Sequence, residues 1–203
     1  MKDPEPDDLN QRIAARVREL RAARGLSLEA VAKKSGVSRS MISIIERGET
    51  NPTAVVLEKL AGALGVMLAS LFDPPDELAH SADGPLLRRD DQPVWKDPAS
   101  GYLRRTVSPV AAHRAVRIAE VHFPAGARVA FDNAAGAGDV LVHQQIWLLE
   151  GAMVVTLGEE SHRLHEGDCL AMELDRPSMF HNPTRRAARY AVVTASEPAP
   201  VRR

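Results

Sequence analysis

In the first third of the chain, the side chains best suited to chemistry are Arg39, Ser40, Ser43 and Arg47. At about 100° per residue they fall within roughly 100° of one another on a helix that starts after Ser38. Met41, Ile42 and Ile45 fall on the opposite side with Ser38, and Ile44 sits at the edge of the polar face. Such a helix packs one face and presents Arg and Ser on the other. An arginine near the helix start can bond bidentately to the major-groove edge of guanine. Serine reads several bases weakly, and Ile44 can touch a thymine methyl. Asn51 and Thr53, together with the free amides of helix N-termini, suit phosphate oxygens. The solvated face of any small helical bundle has a similar composition, so the wheel alone does not separate the two readings.

A second group of polar residues lies late in the chain. Gln144 and Ser178 fall in short apolar segments rich in Val, Leu, Ile and aromatic residues. If these are strands, Ile146 shares a face with Gln144, and Phe180 shares one with Ser178. His143 and His181 lie an odd number of residues from Gln144 and Ser178, so they turn away. His162 and His165 flank a hairpin, differ in parity and read as surface or internally satisfied histidines. Arg104 and Arg105 alternate, so only one can point inward, where it could pair with a carboxylate or phosphate. Arg104, Gln144, Ile146, Ser178 and Phe180 are the candidate ligand pocket, an assignment that rests on the barrel resemblance set out below. Trp147 is opposite in parity to Gln144, which places it between sheets or in a dimer interface. Cys169 reads as a small buried apolar residue.

These residues must be held by two kinds of element. Leu9, Ile13, Val17 and Leu20 repeat every three to four residues in a first helix that Gly25 ends. Ser27 caps a second helix, Gly36-Val37 forms a tight turn, and Ser38 caps a third that runs to Arg47. Asn51-Pro52-Thr53 starts a fourth, and Met67–Phe72 forms a short fifth. Residues 73–93 hold four prolines and many acids and read as a linker. Beyond it, Val116–Phe123, Val140–Leu149, Met153–Leu157, Cys169–Glu173 and Tyr190–Thr194 are strands separated by Gly, Pro and Asn turns, which points to an antiparallel sandwich or barrel. The expected organisation is an acidic tail over 1–8, a helical domain over 9–72, the linker over 73–93 and a β domain over 94–198.

The 203 residues are 44% hydrophobic and 26% charged, which excludes a disordered chain. No apolar run approaches the roughly 20 residues of a membrane helix, and no N-terminal stretch reads as a signal peptide. One cysteine excludes an internal disulfide and is consistent with a cytoplasmic location. The net charge of −1 hides an asymmetry. Residues 1–8 sum to −3, residues 9–72 to +5 and residues 73–203 to −3. A basic block inside a neutral chain suits an anionic polymer as partner.

The stretch Ser27–Thr53, SLEAVAKKSGVSRSMISIIERGETNPT, closely resembles the lambda-repressor-like helix-turn-helix of the XRE family. The resemblance rests on Ala32, Gly36-Val37-Ser38, Ile42-Ser43, Ile45-Glu46, Gly48 and Asn51-Pro52-Thr53, and covers about 60 residues. It implies a five-helix bundle and a homodimer that places two copies of the third helix in successive major grooves of a pseudo-palindromic operator. By position, the resemblance implies base contacts from Arg39, Ser40, Ser43 and Ile44. It sets Arg47 and Asn51 nearer the backbone, and Ser38 and Thr53 complete the candidate DNA-binding set. Many relatives carry Gln where this chain has Leu28, so one phosphate anchor is missing.

The stretch Phe123–Asn182 resembles the two-motif core of a cupin, a double-stranded β-helix barrel. Gln144-Gln145…Gly151 and Gly167-Asp168…Asp175-Arg176-Pro177…Asn182 carry that likeness. In the family's metal-binding members, the places of Gln144, Ser178 and one of residues 137–140 hold ligands. A cupin metal needs three or four imidazole or carboxylate donors. Here those places are amide, hydroxyl or non-donor, apart from Asp139, so no metal and no other cofactor is expected. The combined resemblance is to a multidomain α + β one-component transcriptional regulator that senses a small-molecule effector of unknown identity. The competing readings are a cupin enzyme tethered to a DNA-binding domain, and an interaction protein whose helix-turn-helix only autoregulates.

Overall fold

The computed structural model describes residues 6–73, 84–109, 116–133 and 140–198. Four α-helices come first: α1 (Pro6–Ala23), α2 (Leu28–Ser35), α3 (Arg39–Glu46) and α4 (Ala54–Ala63). Leu9, Ile13, Val17 and Leu20 are the buried stripe of α1, as their spacing predicts. The helix starts at Pro6, so residues 6–8 of the acidic tail are helical. Ser27, Ser38 and Thr53 each accept a hydrogen bond from the backbone N–H three residues on, which caps α2, α3 and α4. Gly36 closes α2 at a φ of 68°, a left-handed conformation that costs glycine no Cβ clash. The expected fifth helix is a five-residue 3-10 turn, Leu68–Phe72, so the described residues of the bundle form four α-helices. Its Ser70 N–H bonds back to Met67 O, and five residues leave no room for an α-helical ladder.

In the expected linker, Arg89–Asp91 makes one 3-10 turn. Ten strands follow: β1 (Val94–Lys96), β2 (Leu103–Thr106), β3 (Val116–Phe123), β4 (Arg128–Phe131), β5 (Val140–Glu150), β6 (Ala152–Leu157), β7 (Glu160–His165), β8 (Cys169–Glu173), β9 (Ser178–His181) and β10 (Ala188–Pro198). They form two antiparallel sheets, β1-β2-β3-β10-β5-β8 and β4-β9-β6-β7, the two-sheet barrel that the cupin resemblance implies. Gly151 turns β5 into β6 at a φ of 86°. A Cβ there would lie 3.1 Å from Ala187 O, so both conformation and space favour glycine.

The inward faces share one apolar core with the helices. A chain of rings links them: Phe72 and Trp95 at 5.5 Å, Trp95 and Tyr102 at 5.7 Å, then Phe123, Tyr190 and Phe180. Polar bonds reinforce this junction. Trp95 Nε1 donates to Asn51 Oδ1 at 2.8 Å, and Asn51 Nδ2 donates to Lys96 O at 3.1 Å. The Ala54 N–H, at the start of α4, donates to Asp97 Oδ1 at 2.9 Å, and Arg117 pairs with Asp73 at 3.1 Å.

Candidate nucleic-acid interface and barrel cavity

Helix α3 is seated by Ile42 and Ile45, both fully buried, and by Glu46. The Glu46 carboxylate takes both arms of Arg21, at 2.7 and 2.9 Å, and so fixes the end of α3 against α1. Ser38, Arg39, Ser40 and Arg47 are exposed, and Ser43 and Ile44 are half-buried. Arg39 has only a 4.0 Å contact with the exposed Glu29, a pair too open to hold it. Arg47 is engaged differently, binding Glu49 with two arms and Ser43 Oγ with the third. Glu49 is held below the usual carboxylate range by its hydrogen bond to Arg47. Met41 is 41% exposed, which corrects its assignment to the packed side. The buried stripe of α3 is narrower in apolar residues than the wheel suggests, because only Ile42, Ile45 and Glu46 are buried.

Inside the barrel lies a cavity of about 70 Å³. Arg104, Gln144, Ile146, Ser178 and Phe180 all line it. Arg104, not Arg105, is the inward arginine. It is 9% exposed, sits 5.1 Å over the Phe72 ring, and its Nε has no hydrogen-bond partner. Burial lowers its pKa against the nearby Tyr102, Tyr190 and Asp73. Arg105 turns outward to Glu120 at 3.3 Å. Gln144 donates to Thr194 Oγ1, and Ser178 Oγ accepts from Asn133 Nδ2. Two further lining residues come from the helical part, Glu58 on α4 and Leu68. Glu58 Oε2 has no partner. Burial raises the pKa of Glu58, with the Asn133 backbone N–H acting against the shift. Burial also lifts the Tyr102 and Tyr190 hydroxyls above the ordinary tyrosine value.

Residues 17–71 match the profile of the HTH_3 helix-turn-helix family. The HTH-type transcriptional regulator y4dJ of Sinorhizobium fredii is 40% identical over 70 residues, which span 91% of that protein and 34% of this chain. The chain belongs to the helix-turn-helix transcriptional regulators. The regulator PuuR of Escherichia coli is 24% identical over 186 residues, covering 90% of this chain and 93% of that one. A solved HTH_3 family transcriptional regulator from Vibrio cholerae superposes with a TM-score of 0.71 at 28% identity, over 94% of this chain and 98% of that one.

In this regulator two expected backbone contacts have other partners within the chain. Both ends of the Asn51 amide are taken up by Trp95 and Lys96, so Asn51 joins the helices to β1. The Thr53 hydroxyl caps α4. Leu28, at the position of the missing glutamine anchor, packs on the helical core. His143 faces Glu173 at 3.8 Å, and His162 lies 3.9 Å from Glu160. Cys169 is exposed, not buried as expected, because it pairs with Trp147 on the outward row of β5 and β8. Trp147 is itself 51% exposed. Asp139 lies outside the described residues. Among the described residues no three His, Cys, Asp or Glu side chains converge as metal ligands would.

Sequence reasoning missed Glu58, Leu68 and Asp97. In sequence, Glu58 is one acid beside the apolar positions Leu57, Leu60 and Ala61, and only the packing of α4 against the barrel turns it inward. Asp97 had a faint local signal. The run Asp97-Pro98-Ala99-Ser100 is turn chemistry, and its carboxylate accepts from the Ser100 N–H and Oγ–H.

Proposed function

We propose that this regulator is a cytoplasmic homodimer that binds a pseudo-palindromic operator through α3 and changes its operator affinity when a small molecule occupies the barrel. The reading helix is carried by one observation. The exposed side chains of the N-terminal half of α3 are Arg39, Ser40 and Met41, with Ser38 exposed at its cap, and among the described residues Arg39 has no strong pair. Ser43 and Ile44 lie one turn on. Arg47 is released from Glu49 on meeting phosphate, and Thr53 lies near the backbone. The positive charge of residues 9–72 favours approach to DNA, while the acidic remainder limits non-specific adhesion.

One α3 reads one half-site, so a second copy is required. The outer face of the six-stranded sheet suits it. Val116, Ile118 and Trp147 are large apolar side chains exposed there. Replacing Trp147 by Asp is expected to shift the protein from dimer to monomer in sedimentation and to weaken operator binding. A dimer of unchanged strength would remove this face from the reading.

The barrel acts as a sensor, not a catalyst. The places where a metal-binding cupin holds ligands are occupied by Gln144 and Ser178, both already hydrogen-bonded to neighbours. A ligand shifts operator affinity only by its different affinity for two arrangements of the reading heads. The junction at Asn51, Asp97 and Glu58 is where such a difference can arise. The test is operator titration. Replacing Arg39 and Ser43 by Ala should cost at least about tenfold in affinity, since a bidentate guanine contact is worth about 1–3 kcal/mol. Unchanged operator affinity would remove α3 as the reading helix.

A further inference from the structure

The cavity is lined by two charged side chains of opposite sign, Arg104 and Glu58, each with one buried polar atom that has no hydrogen-bond partner among the described residues. Arg104 stands on β2 in the six-stranded sheet, and its inward row continues through Val121 on β3 and Tyr190 on β10. Glu58 stands on α4, which packs beside β4 at the edge of the four-stranded sheet. Arg104 Nε and Glu58 Oε2 are both buried without a hydrogen-bond partner. The two do not pair with each other. The charges that act on Arg104 are those of Tyr102, Tyr190 and Asp73, whereas those that act on Glu58 are Asp132 and Lys59. A buried polar atom of a charged group is costly to leave without a hydrogen bond, so both positions gain from a ligand that supplies the missing group.

We propose that the cavity binds a small zwitterionic amino carboxylate, with its carboxylate on the Arg104 guanidinium and its ammonium on the Glu58 carboxylate. This rests on the reading of the barrel as the effector site and names the ligand class for it. The charge pattern selects among small molecules. A dicarboxylate would set its second anion against Glu58, and a diamine would set a cation against Arg104. A zwitterion satisfies both and adds no net charge to a buried space. Volume sets the size. A cavity of about 70 Å³ holds roughly five to seven waters at 10–15 Å³ each, so the ligand has about that many non-hydrogen atoms. Phe123, Phe131 and Phe180 give the short carbon chain its apolar walls. Because Glu58 belongs to α4, the bound ammonium ties the DNA-reading helices to the barrel. The ligand therefore contacts both parts whose relative arrangement sets the spacing of the two α3 helices.

The experiment is calorimetric titration of the full chain without DNA. The ligands are glycine, alanine, β-alanine and γ-aminobutyrate, alongside propionate, propylamine, succinate and 1,3-diaminopropane. At least one amino carboxylate should bind at least about tenfold more tightly than every compound that lacks one of its charges or repeats one. Glu58→Gln should remove that advantage over propionate, and Arg104→Gln should remove the advantage over propylamine. Stronger binding of succinate or the diamine, no binding of any amino carboxylate, or equal affinity in the wild type and Glu58→Gln would each overturn the proposal. The ligand series on the wild-type protein keeps the test intact if a variant fails to fold. Operator titration with and without each compound is read separately. A compound of another class that binds and changes operator affinity refutes the zwitterion and leaves the sensor reading standing. An amino carboxylate that binds as described without moving operator affinity does the reverse.

Discussion

Replacing Asp97 by Ala should destabilise the protein by about 3 kcal/mol. Asp97 is 1% exposed and sits where the helices meet the barrel. Its carboxylate accepts from the Ala54 N–H at 2.9 Å, the Ser100 N–H at 2.7 Å and the Ser100 Oγ–H at 2.5 Å. Hydrogen bonds to a charged group are worth about 1.5–3 kcal/mol each, and the anion also faces the N-terminus of α4 for roughly 0.3–1 kcal/mol more. Against this stands a burial cost of several kcal/mol for the carboxylate, which alanine no longer incurs. The difference leaves about 3 kcal/mol, most of it from stranding the buried Ala54 N–H and the Ser100 groups. Ser100→Ala removes one bond of the three and should cost about 1.5 kcal/mol, the low end for a bond to a charged group, because the carboxylate keeps its other two. Urea unfolding followed by circular dichroism and by tryptophan fluorescence measures both, with Trp95 reporting from the junction itself. A loss below about 1 kcal/mol for Asp97→Ala, or equal losses for the two variants, would refute this account of the junction.

Glu46→Gln should cost about 2 kcal/mol and weaken operator binding, because it breaks a two-armed pair that seats the end of α3. Unfolding and operator titrations that match the wild type would count against that role. Glu58 has a folded-state pKa above its ordinary value of 4.5, caused mainly by burial. Its contribution to stability is therefore full below pH 4.5 and is lost as pH rises through the raised value. Glu58→Gln should thus be more stable than the ligand-free wild type near pH 8, with the gap closing on acidification toward pH 4.5. A gap that stays constant with pH would show that Glu58 does not titrate as its surroundings require.

Local signals were legible wherever they depended on near neighbours in the chain. Ser27, Ser38 and Thr53 cap the helices they precede because the capping bond spans only three residues. Strand alternation puts Gln144 on one face with Ile146 and Ser178 on one face with Phe180, the cupin resemblance marks that face as inward, and these four meet Arg104 in one cavity. What local signals did not show lies where a partner comes from far away. Asn51, read as a phosphate ligand, also accepts from Trp95, 44 residues on, a contact that its own neighbourhood does not signal. Cys169 looked buried until its register opposite Trp147 turned it outward. The last expected helix proved too short to complete an α-helical ladder.

The sequence by itself determined the helix-turn-helix, its outward arginine and serines, and the strands that build a barrel. Those properties arise from spacing, capping and alternation, each a local constraint on the backbone. Only the tertiary structure decided that the helices share a core with the barrel, and that Glu58 of α4 enters the same cavity as Arg104. The two stand 46 residues apart in the chain. Two charged side chains that line one cavity depend on which surfaces the fold brings face to face, and no local pattern encodes that.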